Sequence, residues 1–102
     1  MNKQLKSKWV KALRSGKYKQ GTGMLKQRDY ISHRANYCCL GVLRELMPVE
    51  YQEQSSKQGG TLAKCQLILA GLGYKAQDTL INMNDSWGKT FSEIADYIEK
   101  KL

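Results

Sequence analysis

The chain has 102 residues, is 41% apolar and carries a net charge of +8, the size of one domain able to bury a modest core without disulfides or metals. No apolar run approaches the ~18 residues of a membrane span, and residues 1–16, MNKQLKSKWVKALRSG, hold neither the apolar stretch nor the cleavage site of a signal peptide. A cytoplasmic protein with no membrane association is expected, its three cysteines present as thiols.

The charge is unevenly spread. Residues 1–36 hold ten basic side chains and one acid, Asp29, whereas the other 66 residues hold seven basic and eight acidic groups. All the excess lies in the first third. Such asymmetry suits an anionic partner, and a merely solvated basic surface is its bland counterpart.

Residues 3–15 are expected to form a helix. Leu5, Trp9 and Leu13 recur every four residues beside Val10 and Ala12, and Gly16 follows as a C-cap would. Trp9 lies within this stripe and is read as core. Residues 17–36 are polar, with a loop or hairpin expected around Gly21 and Gly23 and strands near 24–27 and 30–32. The Gly-Thr-Gly triplet lacks the spacing of a phosphate loop, although glycines among Lys17, Lys19, Gln20 and Lys26 could present backbone N–H groups to an anion.

Next comes NYCCLGVLREL, where Cys38, Cys39, Val42, Leu43 and Leu46 fall at helical spacing and Pro48 ends the helix. Gly41 costs a helix about 1 kcal/mol against alanine, which suggests another element close against it. Residues 49–60 read as an exposed loop. Residues 61–72 read as a second apolar helix capped by Thr61, with Leu62, Cys65, Ile68, Leu69 and Leu72 inside. A short helical turn carrying Leu80, Ile81 and Met83 follows. The last helix opens on the capping box Thr90-Phe91-Ser92-Glu93, buries Phe91, Ile94, Ala95, Ile98 and Leu102, and ends on Lys100 and Lys101.

Chemistry is sparse. Three cysteines and His33 barely reach the ligand count of a zinc site, and adjacent Cys38 and Cys39 point about 100° apart on a helix. No metal and no cofactor are expected. A nucleophilic thiol near His33 has no evident orienting third group, so the cysteines are read as core and the protein as no enzyme, with a cysteine-dependent enzyme as the last alternative. Asn82, Asn84, Asp85 and Ser86 cluster before Trp87. They either make turn hydrogen bonds ahead of the final helix or line a pocket.

Several motifs together resemble a known group. They are W-x-x-A-L-R-S-G-x-Y at 9–18 with Gln20-Gly21, Y-C-C-L-G-V-L at 37–43, A-G-L at 70–72, Asn84-Asp85, and F-x-E-I-A-D-Y-I-E at 91–99. Across nearly the whole chain they are similar to small uncharacterised accessory proteins of tailed bacteriophages and prophages. The chain departs from that pattern at Arg44, where a further cysteine is common, and in the shortened segment 73–83. The resemblance implies a single small domain acting in an infected bacterial cell, with no enzyme activity to carry over. By analogy, such proteins commonly disable host defence or redirect host machinery.

The expected fold is a compact α+β domain, mainly helical, with four helical segments and a small hairpin after the first helix. Two polar sets, running from Arg14 to Gln20 and from Asn84 to Ser86, are expected to converge on a pocket, although Arg14 could serve only as a charge at a helix end. The leading expectation is a binder of an anionic, nucleotide-like small molecule, a sponge for a defence signal. Arg14, Lys17, Lys19 and Gln20 would meet phosphates, Tyr18 or Trp87 would stack on a base, and Asn84 and Asp85 would accept hydrogen bonds. The alternative is a macromolecular binder using the basic residues of 1–36 against nucleic acid or an acidic host protein. Homo-oligomerisation is left open.

Overall fold

The computed structural model describes residues 1–54 and 59–102. Among these residues, six α-helices and a three-stranded sheet form one core: α1 Lys3–Arg14, β1 Lys19–Gln20, β2 Lys26–Arg28, β3 Ala35–Tyr37, α2 Cys39–Glu45, α3 Val49–Gln52, α4 Lys64–Ala70, α5 Tyr74–Ile81 and α6 Phe91–Lys101. A π-helical turn, Asn82–Ser86, continues α5. The mainly helical α+β architecture agrees with the sequence reading. Among the described residues, no helix is long and apolar enough to cross a membrane.

The first and last helices form because their ends are satisfied and one face of each is apolar. Asn2 Oδ1 accepts the Leu5 N–H at 3.0 Å at the start of α1. Thr90 and Glu93 exchange hydrogen bonds at the start of α6, Glu93 N–H to Thr90 Oγ1 at 3.2 Å and Thr90 N–H to Glu93 Oε1 at 3.0 Å. The two helices pack against each other, burying Trp9, Leu13, Ile94, Ala95 and Ile98. Trp9 is fully enclosed, and its indole N–H donates to the Cys39 carbonyl at 2.8 Å. Removing a ring of ~200 Å² from water is worth about 5 kcal/mol, and that hydrogen bond removes the penalty of burying the N–H.

Gly41 explains how α2 meets the strands. A Cβ at this position would stand 1.7 Å from the Leu25 carbonyl oxygen, so the chain leading into β2 lies directly on the helix backbone. The close approach expected from this glycine is therefore real, and Leu25 makes it.

Five expectations need correction. The hairpin exists, but its strands are β2 and β3, and its turn is residues 29–34 rather than the Gly21 and Gly23 region. Residues 30–32 belong to that turn and form no strand. β3 is the central strand. It pairs antiparallel with β2 (Gln27 opposite Asn36) and parallel with β1 (Lys19 opposite Asn36). Residues 49–52 form α3 instead of loop; the part of that expected loop at 55–58 lies outside the described residues. Helix α4 begins two residues later than expected, with Ala63 rather than Thr61 at its N-cap. Beyond α4 the expected short turn is a complete helix, α5.

Candidate functional site

Of the two polar sets, only Gln20 and Asn84 meet, and they do so inside the protein rather than around a pocket. Asn84 is 2% exposed. Its Oδ1 accepts from Gln20 Nε2 at 3.0 Å and from the Cys39 N–H at 3.2 Å. Its Nδ2 donates to the Gly21 carbonyl at 2.8 Å and to Asp85 Oδ1 at 2.7 Å. Four bonds exhaust the capacity of a carboxamide. Gln20 is similarly engaged, donating to the Lys89 carbonyl at 2.8 Å and accepting the Phe91 N–H at 3.0 Å. Together these amides tie β1, the start of α2, the π-helical turn and the start of α6 to one another. No buried side-chain nitrogen or oxygen lacks a partner among the described residues, so no hydrogen-bonding group of Asn84 is left over for a ligand.

Arg14 faces elsewhere. Its guanidinium binds Asp96 at 2.6 Å and Glu99 at 2.9 Å, both on α6. The hydrogen bonds it donates to Asp96 and then to Glu99 raise its pKa above the ordinary value. Its charge is answered by two carboxylates of the same protein. Asp85, within the π-helical turn, and Trp87, just after it, are exposed, Trp87 by 57%.

The remaining predicted residues, Lys17, Tyr18 and Lys19, do border a concavity. It is a hollow of about 510 Å³ lined by these three with Gly16, Arg34, Ala35 and Tyr37. The parallel pairing of β1 with β3 brings Arg34 and Tyr37 to the segment that follows α1. Tyr18 and Tyr37 meet edge to face, ring centroids 5.2 Å apart and planes at 89°, a favourable arrangement for two ring quadrupoles. The Lys17 ammonium lies 6.0 Å from the Tyr18 ring, and that of Lys26 lies 5.6 Å from the Tyr37 ring. Lys17, Lys19 and Arg34 are exposed and, among the described residues, none forms an ion pair, in contrast to Arg14, Lys26 and Lys89. The nearby acid is Asp29, whose carboxyl is held below its ordinary value first by the Ile31 N–H and then by Ser32, with the Lys19 charge a smaller influence.

Sequence reasoning missed Arg34 and Tyr37 as members of this hollow. The positive charge of 1–36 included Arg34, but only strand pairing puts it beside Lys17 and Lys19.

The cysteines are packed inside. Cys38 is 4% exposed and Cys39 is fully buried. Burial pushes both thiols up, Cys39 strongly, which disfavours the nucleophilic thiolate. Cys65 is half-buried and His33 is exposed. Among the described residues, no group of three or more His, Cys, Asp or Glu side chains comes together to hold a metal ion.

Residues 1–67 match the family described as a domain of unknown function (DUF8296), and the chain belongs to that family. No curated protein and no solved structure matches the chain.

Proposed function

We propose that the protein is a non-enzymatic nucleic-acid binder whose phosphate contacts come from the face around Lys17, Lys19 and Arg34. The observation that carries this reading is the convergence of three exposed cations without ion-pair partners on one hollow. Carboxylates of the same chain already engage Arg14, Lys26 and Lys89. Cations in such a position displace condensed counterions from a phosphate backbone, and the released ions drive binding. Arg28, at the end of β2, adds a further exposed cation to the same hairpin.

The resemblance to tailed-phage accessory proteins supports a setting in the cytoplasm of an infected bacterium. There the bound strand would be phage or host nucleic acid, and countering host defence would be the consequence. The basic first third is favoured over a pocket at Gln20 and Asn84 because those amides are engaged within the protein and Arg14 is paired with Asp96 and Glu99.

A second reading keeps the hollow and changes the ligand. A volume of about 510 Å³ falls within the ~300–1,000 Å³ range of small-molecule sites, and a paired Tyr18 and Tyr37 beside Lys17 suits a nucleotide-like anion.

Salt separates the two. Three phosphate contacts to a single strand give a slope of log K against log salt of about −2. A nucleotide held by one or two phosphates gives a shallower slope and a stability gain of about 2.7 kcal/mol at 100-fold over Kd. Fluorescence anisotropy of a labelled oligonucleotide across a sodium chloride series is the test. A steep slope that flattens in the triple variant K17A/K19A/R34A supports nucleic-acid binding; no binding at low salt refutes it.

A further inference from the structure

The turn between β2 and β3 is ordered by its own hydrogen bonds. The Asp29 N–H donates to the Arg34 carbonyl at 2.9 Å, and the His33 N–H donates to the Asp29 carbonyl at 2.9 Å. The Asp29 carboxylate accepts the Ile31 N–H at 2.9 Å, and Ser32 Oγ accepts the Arg34 N–H at 3.3 Å. His33 completes the reversal in the left-handed region, at φ 59°. A turn held this way needs nothing apolar at its tip, yet it carries Tyr30 and Ile31, 92% and 94% exposed.

One side of the tip borders a second hollow, of about 370 Å³, lined by Tyr30 and Ile31 with Gln27, Arg28, Asp29 and Asn36. Its composition is specific: an aromatic ring, a guanidinium, and two carboxamides that β2–β3 pairing sets opposite each other. An aromatic face stacks on a nucleobase of any sequence. Carboxamides can donate to and accept from base edges, and a guanidinium can contact phosphate or stack. Arg34 stands at the base of the turn and lines the first hollow. From Tyr30 to Arg34 the chain reaches at most ~14 Å, which bounds the separation between the Tyr30 backbone and the edge of the first hollow.

We propose that the β2–β3 turn is a base-stacking finger. Tyr30 stacks on one unpaired base of a single-stranded nucleic acid, seated beside Arg28, Gln27 and Asn36, while neighbouring phosphates lie on Lys17, Lys19 and Arg34. The proposal rests on the nucleic-acid reading above and adds the strand type, the base contact and the residue that makes it.

The test measures anisotropy with oligothymidylate and with a duplex of equal length, for the wild type and for Tyr30→Ala, Tyr30→Phe and Ile31→Ser. Tyr30→Ala is expected to weaken single-strand binding about 5- to 150-fold, with the salt slope unchanged because no charge is lost. Tyr30→Phe keeps the ring and is expected to stay within about threefold of wild type, since stacking is a property of the π-face. Wild-type affinity in Tyr30→Ala overturns the finger and leaves the phosphate face standing. A loss in Tyr30→Phe as large as in Tyr30→Ala also overturns it, because the hydroxyl would then be the contact. Duplex preference abolished by Ile31→Ser overturns it in favour of a wedge between base pairs. Failure of the wild type to bind either oligonucleotide removes the underlying reading itself.

Discussion

The amide clamp at Gln20 and Asn84 and the cationic hollow at Lys17, Lys19 and Arg34 start within three residues of each other, yet their polar groups are spent differently. In the clamp, six hydrogen bonds between 2.7 and 3.2 Å consume all four bonding positions of Asn84 and three of Gln20. In the hollow, three cations face water without an ion-pair partner among the described residues. Buried polar groups must be satisfied to be tolerated. Exposed ones carry no such requirement, and a cluster of one sign keeps its field available to a partner. A polar cluster in a sequence therefore tells little until its burial is known: the same residue types make a structural joint in one place and an anion-attracting surface in the other.

Substitutions can break that comparison, and their expected effects on folding descend in order. Gly41→Ala should be the most damaging. The new methyl would meet the Leu25 carbonyl oxygen at 1.7 Å, and because that atom is backbone, the β2 approach must move. Overpacking usually costs about 1–3 kcal/mol, and the upper end or beyond is expected here, read from urea denaturation midpoints. Wild-type stability in this variant would mean that α2 and the Leu25 segment do not touch.

Asn84→Ala should follow. It strands the buried Cys39 N–H, at about 1–3 kcal/mol, and the Gly21 carbonyl, which is only half-buried and can turn to water at smaller cost. Below its melting temperature the variant should still bind oligonucleotide like wild type. A selective loss of binding with stability intact would return Asn84 to the ligand site.

Acid should act next, and locally. The Asp29 carboxyl is held below its ordinary value in the folded turn, chiefly by the Ile31 N–H. A depressed folded value means the turn gains stability when the group is ionised, with the full gain present above the unfolded value. That gain is lost as pH falls through the folded value. Exchange of the Ile31 amide should therefore show reduced protection at acid pH relative to neutral pH, after correction for intrinsic rates. In Asp29→Asn this acid sensitivity should disappear.

The smallest effect on folding belongs to the surface cations. K17A/K19A/R34A should shift stability by within about 0.5 kcal/mol while removing most of the salt-dependent affinity. Arg14→Ala supplies the matching control. It breaks the bonds to Asp96 and Glu99 and should leave oligonucleotide binding unchanged.

Much of the fold was legible in the sequence, for physical reasons that differ by element. α1 and α6 announce themselves through four-residue periodicity and a capping box, signals local to the helix. Gly41 pointed to a close approach because a glycine inside a helix is costly. The sheet was less legible. Strands of two or three residues are too short to show alternation, and the register of Lys19 opposite Asn36 is set by pairing across the chain. α5 was underestimated because Lys75, Gln77 and Asp78 dilute its apolar face; Gln77 is nonetheless buried, accepting the Leu62 N–H at 2.8 Å. The convergence of Gln20 with Asn84 could be anticipated, but whether the meeting point held solvent or protein could not. Lys17, Tyr18 and Lys19 stood out as a basic run after α1, whereas Arg34 joins them only through β3.

The most direct test of which region is functional is a ¹⁵N NMR titration of the intact chain with oligothymidylate. Amide shifts are expected to concentrate at residues 17–19 and 27–37, with residues 82–89 nearly silent. Shifts centred on Asn84, Asp85 and Trp87 instead, with the hairpin undisturbed, would contradict the account and make the clamp the site.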